Sequence, residues 1–142
     1  MLTLAQATQI IDAALAEGRA SDFQPLCAAV LDPGGHLLAL KRDERASTGR
    51  PDIATAKAAG CLAMGFGGRE LARRAQAMPA FIATLNNVFP KGLLPVPGGV
   101  LIRDAAGTLL GAVGISGDTS DNDEVCARAG IAAAGLAADT GE

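Results

Sequence analysis

Two stretches with the same punctuation constrain this chain most. Asp32-Pro33-Gly34-Gly35 lies between apolar runs at residues 26–31 and 36–41, and a second turn at residues 104–107 lies between residues 100–103 and 108–116. Aspartate opens each turn and glycine closes it, as tight turns require. Short apolar runs on both sides of such turns predict two β-hairpins. The pattern Asp32-x-x-Gly35-x-Leu37-Leu38 is repeated as Asp104-x-x-Gly107-x-Leu109-Leu110. Shared turn chemistry explains the echo without an internal duplication.

The remaining segments read as helices. Thr3 and Gln6 have capping-box spacing, with Leu4, Ala7, Ile11 and Leu15 on one face, so a helix is predicted over residues 3–18, stopped by Gly18. Pro51 and Asp52 suit a helix start, and the segment runs to about Phe66, with Gly67-Gly68 as its stop. Residues 69–78 form a basic amphipathic helix, and Pro79 restarts a further apolar face to about Asn87. Residues 89–99, with three prolines and three glycines, make a shaped loop. The last helix is predicted over residues 121–138. Hairpin, helices, hairpin, helix gives an α+β fold, an antiparallel sheet flanked by helices. A chain of 142 residues with 49% hydrophobic content suits one domain, residues 1–142.

Composition narrows the function. Without Trp or Tyr, and with only four Phe, the chain offers no stacking platform for single-stranded nucleic acid, and a net charge of −3 argues against a polyanion partner. No apolar run is long enough for a bilayer, and residues 1–10 lack the pattern of a signal peptide. Cys27, Cys61 and Cys126 are odd in number and widely spaced, which suits reduced core thiols in a cytoplasmic protein. One His and three scattered Cys give no zinc spacing, so no metal site is expected.

Lys57 is the only charged residue of residues 53–68. A helix apolar on nearly every side is buried on nearly every side. The amine either reaches water on a buried stem or stands at a pocket wall beside a carboxylate. Both readings stay open.

The segment Ser-Gly-Asp-Thr-Ser-Asp-Asn-Asp-Glu from Ser116 raises three readings. A calcium loop counted from Asp118 fails, because Asp123 stands where glycine is needed and Ala129 where a bidentate carboxylate is needed. A helix cap fits, since Thr119, Ser120 or Asp121 can cap and Asp121-x-x-Glu124 has capping-box spacing. A ligand rim is compatible with the cap: Ser116, Gly117, Asp118 and Thr119 join a strand end to a helix start, where backbone N–H groups can receive an anion. His36 follows the first turn; it is a strand-end residue, an axial haem ligand or an acid–base group, and the first reading is preferred because no partner has diagnostic spacing.

The text LTLAQATQIIDAAL, VLDPGGHLLALKR, IATAKAAG, PVPGGVLIRDAAGTLLGAVGISGD and DNDEVCARAGIAAAG resembles the GlcG/HbpS family, the haem-degrading-type domain also found at the C-terminus of PduO-type proteins. The likeness covers almost the whole chain in order. It implies a profilin-like three-layer sandwich, assembly into homo-oligomers, and binding of haem, a corrinoid or another small ligand. It maps the family pocket onto His36, Arg42, Lys57, Gly98, Gly99, Ser116, Gly117 and Asp123. Where many relatives carry Met-Asp-Gly-Ala after the arginine, this chain has Asp43-Glu44-Arg45-Ala46-Ser47, followed by Arg50-Pro51.

Three functions follow. In the first, a cofactor-binding protein uses His36 as ligand and Lys57 or Arg42 for propionates. In the second, a cofactor-free isomerase, lyase or hydrolase of organic-acid catabolism holds a carboxylate with Lys57 and Arg50. Asp123 or Glu124 is then the acid or base, with glycine N–H groups near the developing charge. In the third, the chain is an assembly module, its small-residue tail suited to close helix contacts.

Overall fold

The computed structural model describes Met1–Glu142. In chain order the elements are α1 (Leu4–Ala20), β1 (Cys27–Leu31), β2 (Leu37–Arg42), α2 (Arg50–Met64), α3 (Gly68–Ala77), α4 (Pro79–Thr84), a 3-10 turn (Leu85–Asn87), β3 (Gly99–Arg103), β4 (Leu109–Ser116), α5 (Ser120–Ala133) and β5 (Ala137–Asp139). The strands form one antiparallel sheet in the order β2-β1-β4-β3-β5. Helices α1 and α5 cover one face, and α2 covers the other. This is the expected α+β three-layer sandwich.

Strand alternation sorts the two cores. Ala28, Val30, Val100, Ile102, Val113 and Ile115 point to α1 and α5, where they meet Ile10, Ile11, Ala14 and Ile131. Leu31, Leu101 and Ala112 point to α2 and meet Ala58 and Cys61, while Cys27 and Ala29 meet Ala54. The α2 side of the sheet is built from small residues, and glycine decides how close the helix comes. A Cβ on Gly114 would sit 1.9 Å from the Ala54 carbonyl oxygen, and one on Gly99 would sit 2.5 Å from that of Lys57. Helix α2 therefore lies directly on the sheet backbone.

Both hairpins form, with Gly35 and Gly107 at positive φ in their turns. Thr3 and Gln6 make the full capping box. Three boundaries differ from expectation. Helix α1 runs through Gly18 to Ala20; Gly18 is buried because a Cβ there would lie 2.5 Å from Leu26 Cδ1, so this glycine serves packing rather than termination. Helix α2 ends at Gly65, in the left-handed conformation, before the Gly67-Gly68 pair that instead begins α3. The final helix stops near Ala133. Gly135 turns the chain at φ 72, and Ala137–Asp139 then pairs with β3. Alanine favours helix, yet an open strand edge offers backbone partners that a longer helix would leave unmet.

Candidate functional site

The end of the sheet where β4 runs into α5 gathers most of the sequence-predicted residues. Lys57 leaves α2 pointing at the sheet, and its side chain passes to the far layer beside Gly98. Its Nζ donates to the Ile115 carbonyl at 2.9 Å and to Asp123 Oδ2 at 3.0 Å. Lys57 is 4% exposed and Asp123 1%. Gly98, at φ +110, makes the passage: a Cβ there would stand 2.9 Å from the amine. Of the two readings left open, the amine does not reach water; it is paired with a carboxylate, which is the protein's own, and it stands at the wall of none of the three main cavities.

Asp123 is held from both sides. Its Oδ1 accepts the Asp118 amide at 3.1 Å. Burial pushes its carboxyl pKa above the ordinary aspartate value, against the pull of the Lys57 ammonium and the Asp118 amide. Thr119 caps α5, accepting the Asn122 amide at 3.2 Å. Asp118 accepts the Gln24 amide at 2.7 Å and the Asn122 side chain at 2.7 Å, contacts that hold its carboxyl below the usual range. Glu124, also buried, takes a two-pronged contact from Arg69, with Nε at 3.0 Å from Oε2 and Nη2 at 3.0 Å from Oε1; the same guanidinium reaches Asp121 at 2.8 Å. Gly117 allows close packing, since a Cβ would sit 2.3 Å from the Pro25 carbonyl oxygen.

The arginines differ from these saturated groups. Arg50, half-buried at the start of α2, donates one bond, from Nη1 to Ser116 Oγ at 3.1 Å. Arg42 Nη1 reaches the carbonyls of Asp43, Glu44 and Ala46, closest at 2.8 Å to Ala46. Cys27 is the register partner of both Arg42 and Ser116. Its thiol is buried, and burial pushes its pKa up to about 11. Cys61 and Cys126 are pushed to about 12 in the same way, so none of the three is a ready thiolate. No three His, Cys, Asp or Glu side chains are grouped to hold a metal ion.

His36 lies elsewhere. It stands just before β2, whose far end is Arg42, about 20 Å away at the rise of an extended strand. The pocket mapped by resemblance onto both residues is therefore divided between opposite ends of the sheet. His36 is well exposed, with Nδ1 3.4 Å from Asp32 Oδ1. Beside it, Pro33, Gly34 and Gly35 of the turn face α2 and the loop after the 3-10 turn across an open cleft of about 300 Å³. Ala59, Leu62 and Ala63 supply the floor, and Phe89, Pro90, Lys91 and Gly92 the far wall. Lys91 Nζ contacts the Gly35 carbonyl across it. None of the three main cavities is lined by Lys57 or Asp123.

The cleft wall was not anticipated. Its one sequence signal is the Phe-Pro-Lys-Gly run at Phe89, where an aromatic and a cation stand inside a rigid loop.

Comparison with known proteins fits this architecture. The family model described as haem degrading protein HbpS-like matches residues 2–132. A double mutant of HbpS from Streptomyces reticuli is 31% identical, with 92% of this chain and 85% of that one covered at a TM-score of 0.79. The Klebsiella pneumoniae protein ORFY is 25% identical, with 94% and 90% covered and a TM-score of 0.82. The haem complex of PduOC superimposes at a TM-score of 0.85, with 24% identity and 99% of each chain covered. No curated protein matches the chain significantly. The chain belongs to the HbpS-like family.

Proposed function

We propose that this protein binds a small ligand of the haem class in the cleft beside His36. Family membership and the haem complex formed by PduOC support the ligand class. The observation that carries the site is the apolar cleft lined by Pro33, Gly34 and Gly35, the turn that His36 follows directly in the chain, with its imidazole exposed and near the Asp32 carboxylate. With Nδ1 on the side of Asp32, at 3.4 Å, Nε2 is the ring nitrogen left to meet a metal.

The residues present fit the edge of a flat, largely apolar group. The floor is alanine and leucine, Phe89 offers an aromatic wall, and the glycines let a planar ring approach the backbone. Lys91 is the cation within reach of a propionate. The volume of about 300 Å³ stands at the low end of ligand pockets, so the ligand lies in an open cleft and keeps a solvent-facing edge. When bound, haem would supply iron redox chemistry; the chain's own part is to seat and orient it.

Lys57, Asp123 and Glu124 are assigned to the frame. Each is buried against an opposite charge, away from the cleft. The carboxylate-processing reading, with these residues as acid and base, finds none of the three main cavities lined by them.

Titration of the purified protein with haem tests the reading. A saturable Soret shift is expected, lost in His36→Ala and retained in Lys57→Arg. No saturable shift, or an unchanged spectrum in His36→Ala, would overturn it.

A further inference from the structure

The chain has 15 acidic and 12 basic residues, so carboxylates are in excess and most cations find one. Arg19, Arg42, Arg50 and Lys91 are the cations that stand in no ion pair. Arg42 and Arg50 line none of the three main cavities, and Arg19 borders only a crevice of about 20 Å³. Lys91 alone borders a space large enough for a ligand. It is also the only charged residue in the lining of the cleft. Its Nζ is taken up by a neutral group, the Gly35 carbonyl of the opposite wall.

We propose that Lys91 is a latch that decides which ligands the cleft accepts: it ties the two walls together through the Gly35 carbonyl and exchanges that carbonyl for the carboxylate of an incoming ligand. The inference rests on the reading of the cleft as a haem-class site and says how that site selects. Both walls are fixed, and the lysine stem is the part that moves. On one side the Gly92 amide donates to the Phe89 carbonyl at 2.9 Å and the Leu93 amide to Asn86 Oδ1 at 2.8 Å, which holds the loop. On the other, Asp32 Oδ1 accepts the amides of Gly34 at 2.9 Å and His36 at 3.0 Å, which holds the turn. Asp32 lines no part of the cleft, so no carboxylate of the lining competes for the amine. An ammonium bonded to a neutral carbonyl gains when a carboxylate takes its place, because a bond charged on both sides is the stronger one. A neutral ligand has to break the same contact and leaves the amine without a replacement. One atom, Nζ, therefore favours acids and opposes their esters.

Zinc protoporphyrin and its dimethyl ester, which differ only at their propionate groups, test the latch in binding titrations of the full chain. The parent should prefer the acid by about tenfold or more. Lys91→Met should bind the acid about fivefold more weakly and the ester more tightly, a reversal of sign that general damage to the cleft cannot produce. Lys91→Arg should keep the preference for the acid. A second reading needs no porphyrin: the His36 amide, whose peptide carbonyl is that of Gly35, should move in the ¹⁵N spectrum of Lys91→Met. Equal affinity for acid and ester in the parent, a loss of both in Lys91→Met, or an unmoved His36 amide would each overturn the latch while leaving the haem reading in place. Failure of both porphyrins to bind the parent would overturn the haem reading and the selectivity with it.

Discussion

Lys57 shows how one side chain can hold two layers together. It starts on α2, on one side of the sheet, and ends on Asp123 of α5, on the other. Two charges taken from water are costly to bury, and losing one strands the other. Lys57→Met should therefore cost about 3–5 kcal/mol in urea denaturation, the range for breaking a buried pair. The double change Lys57→Met with Asp123→Leu should recover much of that loss, since an apolar pair strands no charge. Acid titration probes the neighbouring turn. Asp118 is held below its unfolded pKa by the Gln24 amide first and by Asn122 next. The native form binds its proton less readily than the unfolded chain does, so the stabilisation is present above about pH 4 and is lost as pH falls through the lowered value. Asp123 runs the other way: its raised pKa favours the fold at low pH, and that contribution fades as pH rises through the raised value. Asp118→Asn should flatten the acid side of the stability profile, read as urea midpoints between about pH 5 and pH 2.5, and should also relax part of the rise in the Asp123 pKa, to which the Asp118 charge contributes.

At the scale of elements, the close seat of α2 governs the sheet. Ala29, Gly99, Ala112 and Gly114 make its bed, and no side chain fits between Gly114 and the Ala54 carbonyl oxygen. Gly114→Ala should lift α2 from β4 and destabilise by about 1–3 kcal/mol or more, as overpacking does, measured by thermal or urea unfolding. Much of this layer was legible in the sequence. Paired turns announced the hairpins, and a nearly uncharged helix announced burial. What was not legible is where elements end. Gly18 reads as a stop by local chemistry, yet the partner that explains it, Leu26, is set by the tertiary fold. Residues 137 and 138 read as helix by propensity and become part of β5 because β3 has an unpaired edge. Local sequence carries no record of an edge elsewhere.

The whole molecule has two ends of different character. One end, under α5, is polar and internally neutralised around Lys57, Asp123, Arg69 and Glu124, with Arg42 and Arg50 left over at its corner. The other end is the apolar cleft between the first turn, α2 and the loop from Phe89 to Gly92. Most of the polar end was legible, because a lone lysine in a greasy helix and an acid-rich turn both demand partners. Its role was not, because sequence shows that a charge needs a mate and cannot show whether the mate is a ligand or the protein itself. The cleft was the less visible part, being assembled from Gly34, Ala59 and Phe89, residues that carry no distinctive chemistry until the fold brings them together. Zinc protoporphyrin, a diamagnetic stand-in for haem, allows the decisive measurement by amide NMR of the full chain. Saturable shifts should concentrate on Gly34, Gly35, His36, Ala59, Ala63 and Lys91 and leave Ser116 and Asp123 in place. Shifts centred on Ser116 and Asp123, or no saturable shift at all, would contradict a binding site beside His36.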